Sequence, residues 1–457
     1  MEPRSLKYLA EACGGELRNG SPQRLATNIC TDSRKAGPGD LFFALAGERF
    51  DAHNFLPEVA RTGVIAVVAE RKKIPANFFT TVIAVDDTRQ ALGKLGARYR
   101  QDFDLPIVAV GGSNGKTTTK ELLASVLRQK FKTLWSEASF NNDIGVPVTL
   151  LKLKGDHQIA VLEVGTNHPG EMAPLLRLIC PGMGVITNVG REHLEFFGDV
   201  AGVAQEEGSL AESLPAEGVL FVNGDSKLME PILQRTSAKV VRIGFGEQND
   251  FSASAVQFDE SGVTFSAKTS AENLNGEFRI KLLGRHQVLN ALLAIAVASE
   301  LGLNRLEIQR GLSECEPAKM RLQLWQVNGI RVLDDSYNAN ADSMSAALET
   351  LRDMPCEGRR VAVLGDMAEL GAQTIPGHAE VGRRASEMGL DQLFTVGTFS
   401  GVTAEAARQC GLAAVKEFSE IEPAGAAVKN YLKPGDLVLL KASRAMRIER
   451  IGEMLRT

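Results

Sequence analysis

Short apolar runs alternate along this chain with stretches of helical periodicity. Leu41-Phe42-Phe43-Ala44-Leu45, Val64-Ile65-Ala66-Val67-Val68 and Val82-Ile83-Ala84-Val85 are bounded by glycine, proline or charge, the pattern of buried strands. Ala91, Leu92, Leu95 and Ala97 then recur at helical spacing, and a polar link over residues 98–104 follows. Pro106-Ile107-Val108-Ala109-Val110 is an apolar strand running into a glycine-rich turn. Leu122, Leu123, Val126 and Leu127 mark one face of the helix after it, and strands are predicted at 159–162 and 184–187. Between residues 245 and 283 the pattern shortens to alternating segments, which predicts a small antiparallel insertion. Beyond Pro317, runs at 332–333, 361–364, 393–396 and 437–440 alternate again with helical stretches. Strand–helix alternation of this kind implies mainly parallel α/β sheets, the last of them Rossmann-like. The pattern divides the chain at 1–103, 104–316 and 317–457, three domains, as 457 residues predict.

Composition narrows the class of protein. With 44% apolar and 23% charged residues the chain has the balance of a soluble globular protein. No apolar run approaches the roughly 18 residues that a membrane span needs. Met1-Glu2-Pro3-Arg4-Ser5-Leu6 has no apolar signal core, so a cytoplasmic location without stable membrane insertion is expected. Cys13, Cys30, Cys180, Cys315, Cys356 and Cys410 are scattered, without zinc-site spacing or a disulfide framework. The net charge of −5 speaks against nucleic acid as the main partner.

Gly111-Gly112-Ser113-Asn114-Gly115-Lys116-Thr117-Thr118 carries the strongest chemical signal, placed between a strand and a helix. Glycines let backbone N–H groups turn inward around phosphate oxygens, and the helix start adds partial positive charge. Lys116 can reach the β- and γ-phosphates, and the Thr117 hydroxyl can bind Mg²⁺. Val110 occupies the position where the strict phosphate-loop pattern has its first glycine, so the loop is one residue shorter. ATP is the expected ligand. A magnesium-bound triphosphate commonly needs a carboxylate at a neighbouring strand end, and Glu163 closes the run Ile159-Ala160-Val161-Leu162. His193 follows the strand at 184–187, where open α/β sheets place their ligands.

In this order the pieces resemble the Mur ligases over nearly the whole chain. Asp334-Asp335-Ser336-Tyr337-Asn338-Ala339-Asn340, Leu364-Gly365-Asp366-Met367-Ala368-Glu369-Leu370-Gly371 and Lys441-Ala442-Ser443-Arg444-Ala445-Met446-Arg447 resemble the branch that adds a D-alanyl-D-alanine dipeptide. Asp32-Ser33-Arg34 and Gly47-Glu48-Arg49-Phe50-Asp51-Ala52-His53 look like the family's uridine-nucleotide end. Asn141-Asn142-Asp143-Ile144-Gly145-Val146-Pro147 and Gly165-Thr166-Asn167 look like its central substrate loops. The resemblance implies a three-domain α/β architecture with a central P-loop ATP-binding domain and a Rossmann-like C-terminal domain. It implies ATP and Mg²⁺ as cofactors, UDP-N-acetylmuramoyl-tripeptide and D-alanyl-D-alanine as partners, a monomer, and amide-bond formation through an acyl phosphate. By the same likeness residues 112–118 contact phosphates, Thr117, Glu163 and His193 hold metal, and Asn290 matches the adenine side. Arg321 and Asp335 match groups closing over phosphate and ribose. Ser33, Arg34, Asn141, Asn142, Thr166, Asn167, Asn338, Lys441, Ser443 and Arg444 fall at substrate-binding positions.

One departure touches the chemistry. The family usually carries a carbamylated lysine after the histidine block, and Glu207 stands at its place in Gln205-Glu206-Glu207-Gly208-Ser209. A carbamate is a carboxylate on a longer arm, so Glu207 is expected to supply that charge directly, alongside Lys116, Glu163 and His193. Ala52, Ala341 and Ala442 stand where glycine, proline and glycine are common, and none of these changes removes a charge. A sister ligase adding one amino acid would share the ATP site, but the Asp-Asn-Pro-Arg motif of diamino-acid recognition is absent. A non-catalytic ATP-binding regulator would have no use for Lys116, Thr117, Glu163 and His193 together.

Overall fold

The computed structural model describes residues 1–47 and 50–456, so Glu48 and Arg49 of the Gly47 to His53 block lie outside the described residues. The chain divides into two compact units. The first holds Met1–Ala109, Phe131–Thr166 and Glu171–Met183, the second Val110–Lys130, Asn167–Gly170 and Gly184–Thr457.

In the first unit a five-stranded sheet runs in the order Glu16–Arg18, Val82–Val85, Ala66–Glu70, Asp40–Phe43, Asn28–Cys30. The first pair is antiparallel and the others parallel. The three apolar runs at 41–45, 64–68 and 82–85 are the central strands, and Phe42, Val67 and Val82 share a core with Leu56 and Val59. Asp87 caps the helix Thr88–Arg100 by accepting from Gln90 N. Tyr99, fully buried on that helix, accepts from Glu2 N at 2.7 Å and donates to Leu153 O at 2.8 Å, so its buried hydroxyl is satisfied twice. Ile159–Glu163 pairs in parallel with Thr133–Trp135.

The second unit contains two sheets. One runs from an antiparallel edge through Gly276–Ile280, Gly262–Thr269, Phe251–Asp259, Lys239–Gly244, Val219–Asn223 and Met183–Ile186 to the end of Ile107–Gly111. The antiparallel insertion expected between 245 and 283 is the first three of these strands. The helix Lys116–Leu127 packs on His286–Glu300 and Arg305–Glu314. Its approach to the latter is so close that a Cβ at Gly311 would come 2.4 Å from Val126 Cα, and Ser125 Oγ donates to Gly311 O across the contact.

The second sheet is ordered Gln323–Val327, Ile330–Asp334, Leu437–Lys441, Arg360–Gly365, Gln392–Val396, Val415–Phe418. All neighbours are parallel except the first pair. Alternate residues face opposite cores, Val361, Val363, Val438 and Leu440 one, Ala362, Leu364, Leu437 and Leu439 the other. Helices cover both faces, so its central strands read as continuous apolar runs. Its two edge strands were not anticipated: Gln323–Val327 and Val415–Phe418 mix polar and apolar residues and are only partly buried.

Candidate active site

The strand Ile107–Gly111 delivers the chain into the loop that starts the helix Lys116–Leu127. Gly112 has φ +111°, and a Cβ there would lie 2.3 Å from Thr187 Oγ1. Gly115, at φ +85°, is the N-cap, and no side chain caps this helix. Both positions require glycine. The loop is pinned from behind by the next strand's end: Ser113 N donates to Asn188 O at 2.9 Å and Asn114 N to Asn188 Oδ1 at 2.7 Å. Thr187 Oγ1 donates to Asn114 O at 2.6 Å, and Gly190 N to Ser113 Oγ at 2.8 Å.

Lys116 folds back over this loop. Its Nζ donates to Gly112 O at 2.5 Å and lies 3.2 Å from Glu192 Oε2, with both side chains largely buried. Thr117 is buried and Thr118 partly so. On the opposite side Glu207 Oε2 accepts from Gly112 N at 2.6 Å, while Oε1 is buried without a hydrogen-bond partner. Glu207 is therefore no solvated helix-face residue: it is 1% exposed and joins the phosphate loop. Burial pushes its carboxyl up to about 8, with Lys116 pulling it down and Glu192 pushing it further up.

His193 sits at φ +49° directly before the short helix Leu194–Phe197. Its Nδ1 is 2.5 Å from Glu369 Oε2, which orients the ring and leaves Nε2 as the outward nitrogen. Beside it, Arg191 is clamped between two carboxylates, Nε to Asp342 Oδ1 at 2.9 Å and Nη1 to Glu380 Oε2 at 2.5 Å. Glu380 first and then Asp342 hold the guanidinium even more firmly protonated than usual. Asn340 Nδ2 adds a contact to Asn114 Oδ1 at 3.0 Å. The bonds to Asp342 and from Asn340 tie the segment after the strand Met183–Ile186 and the phosphate loop to the start of the helix Ala341–Asp353.

A second cluster gathers Arg321, Asp335, Asn338, Lys441 and Arg444. Lys441 is almost completely buried, with Nζ 2.5 Å from Asp335 Oδ2 and 2.9 Å from Asn338 O. Asp335 Oδ1 accepts from Leu322 N, Arg321 lies over the Tyr337 ring, and Arg444 N donates to Asn338 Oδ1. Ser443 Oγ accepts from Ala368 N at 2.6 Å, which fixes the loop carrying Glu369. Asn290, buried, lies against the phosphate loop: a Cβ at Gly115 would come within 2.7 Å of its Oδ1. Asn167 is exposed in this unit.

The remaining candidates belong to the first unit. Glu163, 1% exposed at its strand end, receives Asn141 Nδ2 at 2.9 Å on Oε1, and its backbone N donates to Ser136 Oγ. Asn142 Oδ1 accepts from Ile144 N and Gly145 N, so it shapes the start of the helix Gly145–Leu150. Thr166 Oγ1 donates to Glu171 Oε2 at 3.3 Å. Arg34 is exposed and forks onto Asp32, whose carboxyl these hydrogen bonds hold down to about 2; Ser33 lies between them, partly buried. His53 is oriented by Asp51 Oδ1 on Nδ1 and by Glu70 N on Nε2.

Arg191, Glu192 and Gln287 escaped sequence reasoning. Glu192 stands directly before His193, and that adjacency is the signal the sequence carries for it. Among the described residues no group of three or more His, Cys, Asp or Glu side chains is placed to hold a metal ion, and no helix is long and apolar enough to cross a membrane.

Three family models match the chain: Mur ligase family, catalytic domain, over residues 26–100; Mur ligase middle domain over 110–298; and Mur ligase, glutamate ligase domain, over 320–444. The UDP-N-acetylmuramoyl-tripeptide–D-alanyl-D-alanine ligase of Bacillus subtilis (strain 168) is 36% identical, across 99% of this chain and 98% of its own length. A crystal structure of MurF from Acinetobacter baumannii superposes with a TM-score of 0.92 at 34% identity, covering 100% of this chain and 99% of that one. The MurF ligase of Thermotoga maritima in complex with ADP matches with a TM-score of 0.81 at 27% identity, over 94% and 97% of the two chains. With the phosphate loop, the carboxylate-held histidine and this full-length similarity in agreement, the chain belongs to the Mur ligase family.

Proposed function

We propose that the chain joins D-alanyl-D-alanine to UDP-N-acetylmuramoyl-tripeptide in the cytoplasm, as a monomer, with cleavage of ATP to ADP and phosphate. The observation that carries this is the 36% identity to a ligase of that name along essentially the whole chain, with the phosphate loop intact. The family-model ranges support a division of labour near the boundaries 103 and 316: the uridine nucleotide on the first part, ATP on the second, the dipeptide on the third.

The chemistry starts from a carboxylate, a poor electrophile. The tripeptide's terminal carboxylate oxygen attacks the γ-phosphorus of ATP, the bond to the β-phosphate oxygen breaks, and an acyl phosphate and ADP result. The dipeptide's neutral amine then adds to the acyl carbon, the tetrahedral species expels phosphate, and the amine gives up one proton. Lys116 leaves Gly112 O and Glu192 to neutralise the phosphates, and the backbone of residues 112–118 receives their oxygens. Asn290 meets the adenine, and Arg321 and Asp335 close on the phosphate and ribose. Ser33 and Arg34 serve the uridine end, Asn141, Asn142, Thr166 and Asn167 the growing peptide, and Asn338, Lys441, Ser443 and Arg444 the dipeptide.

The donor chemistry of Thr117, Glu163 and His193, each taken within its own unit, suits Mg²⁺. Thr117 and Glu163 offer hard oxygen ligands, and His193 offers Nε2 while Glu369 holds its other nitrogen. Few protein ligands suffice, because this ion completes its shell with water and nucleotide oxygens. When bound, it supplies positive charge against the phosphates. Glu207 brings a carboxyl group to the loop without carbamylation; burial keeps it mostly protonated in the ligand-free protein, a bound cation would draw it into the charged form, and its unpartnered Oε1 is the atom for that task. Full activity in Glu207→Ala, or strong stimulation of the wild type by bicarbonate, would remove Glu207 from this scheme.

The test is phosphate release from ATP with UDP-N-acetylmuramoyl-tripeptide, comparing D-alanyl-D-alanine with single amino acids. Turnover with the dipeptide alone, lost in Lys116→Ala, is the expected result. Turnover with a single amino acid instead would transfer the chain to a sister activity.

A further inference from the structure

Polar side chains on the first turn of the helix His286–Glu300 connect the phosphate loop to the Asp335–Lys441 pair. Asn290 and Gln287 are both buried and lie three residues apart, one above the other on the helix. Asn290 Nδ2 donates to Gln287 Oε1 at 2.8 Å. Gln287 Nε2 lies 3.1 Å from His286 Nε2. His286 faces Asp335, Lys441 and Glu349, and burial lowers its pKa, so the ring is neutral at neutral pH. A neutral ring with its proton on Nδ1 accepts from Gln287 at Nε2.

With the proton on Nδ1, donors and acceptors run one way along the series: the ring nitrogen accepts, the Gln287 amide donates to it and accepts from Asn290, and the Asn290 nitrogen is committed. Asn290 Oδ1 is left beside Gly115. An unrestrained asparagine amide can turn over about its last torsion, exchanging oxygen and nitrogen with little change of shape. It would meet an amino or an oxo group equally well. A turned Asn290 would here set its oxygen against Gln287 Oε1, two acceptors with no proton between them. Gln287 turns in compensation only if the ring also moves its proton from Nδ1 to Nε2, so the lock proposed below includes the Nδ1–H tautomer of His286.

We propose that Gln287 is a positioning residue that locks the Asn290 amide with its oxygen toward the nucleotide, so that the site selects a purine with a 6-amino donor over one with a 6-oxo acceptor. This rests on the reading above that Asn290 meets the base. Inosine triphosphate replaces the 6-amino donor of ATP by a 6-oxo acceptor, and with it the N1 acceptor by an N1–H donor; it is the probe.

The experiment measures kcat and KM of the full chain with ATP and with inosine triphosphate, and thermal melts of each variant. Gln287→Leu is expected to lower the ATP preference in kcat/KM about tenfold, mainly through KM, as loss of a single buried hydrogen-bond discrimination does. Gln287→Glu keeps the acceptor for Asn290 Nδ2 and is expected to retain most of the preference. Gln287→Lys offers only donors, turns Asn290 over and is expected to favour the 6-oxo base. A folded Gln287→Leu with the wild-type preference would overturn the lock. Should that variant not fold, loss of preference in Gln287→Glu, or its retention in Gln287→Lys, overturns it instead. Asn290→Ala separates the two readings: undiminished preference there removes the base contact itself, whereas lost preference there with an unaffected Gln287→Leu removes only the lock.

Discussion

Two helix starts in the second unit are capped differently, and the difference separates a candidate phosphate site from an ordinary turn. Lys116–Leu127 and Ala341–Asp353 each follow a strand end and a loop of an α/β sheet, and each carries the same partial positive charge. At Ala341–Asp353 the N-cap Asn340 is extended, its Oδ1 accepts from Ser343 N at 2.8 Å, and Ser343 Oγ answers Asn340 N at 3.0 Å. That capping box satisfies its own donors and leaves nothing for a ligand. At Lys116–Leu127 the cap is Gly115 in the left-handed region, with no side chain to spend on the helix. Glycine in place of a capping side chain costs only about a few tenths of a kcal/mol. The chain bears that small cost at the start where the proposed phosphate would take the cap's place, which puts the candidate site in one residue rather than in the α/β fold.

The comparison breaks most completely if the bare start is given a cap. Gly115→Asp would set a carboxylate at the phosphate position and a Cβ 2.7 Å from Asn290 Oδ1. ATP-dependent phosphate release should fall by at least about 10²-fold, the scale of losing a preorganised charge site. Turnover near the wild-type level would show that Gly115 is not where phosphate docks. Glu207→Gln sharpens the same contrast, because the Glu207 carboxyl group accepts a hydrogen bond from the loop's Gly112 N–H. Its folded pKa, pushed up to about 8, lies above its ordinary value, so between the two the folded state holds more protons than the unfolded one. Glu207 therefore favours folding at low pH, and that contribution is lost as pH rises through the neutral range toward 8. Glutamine does not ionise. The melting temperature of Glu207→Gln relative to wild type should rise steadily from pH 5 to pH 8, and a difference that stays flat would place the carboxylate in a wetter setting.

How far the sequence foretold this site depends on where each residue's partner lies. The placement of Gly115, Lys116 and Thr117 at a helix start was legible because strand, turn and helix follow in direct succession. The central strands of both units were legible for the same reason, since burial on two faces writes an uninterrupted apolar run. Gln323–Val327 was not, because an edge strand needs polar residues on its open side and loses that signature. Glu192 and Arg191 were hidden, since the residues that give them meaning, Lys116, Asp342 and Glu380, lie 76 to 189 positions away. Asn142 shows the converse. Its neighbourhood marks a substrate loop, yet its Oδ1 is engaged by Ile144 N and Gly145 N two and three residues on, a local turn such residues make in any protein.

The smallest effect tests the point where the two helix starts touch. Asn340 serves both: its oxygen caps Ala341–Asp353, and its Nδ2 donates to Asn114 Oδ1 in the phosphate loop at 3.0 Å. Asn340→Ala removes both functions and should cost about 1 kcal/mol of stability, seen as a lower denaturation midpoint. Asn340→Asp separates them. Aspartate caps as well as asparagine does, so the midpoint should stay within about 0.5 kcal/mol of wild type. The new carboxylate, however, meets Asn114 Oδ1 as acceptor against acceptor, and Asn114 has to turn its amide or withdraw. The KM for ATP should then rise several-fold while stability holds. If Asn340→Asp instead lost stability and kept its KM, Asn340 would matter to its own helix alone, and the capped and uncapped starts would be independent neighbours.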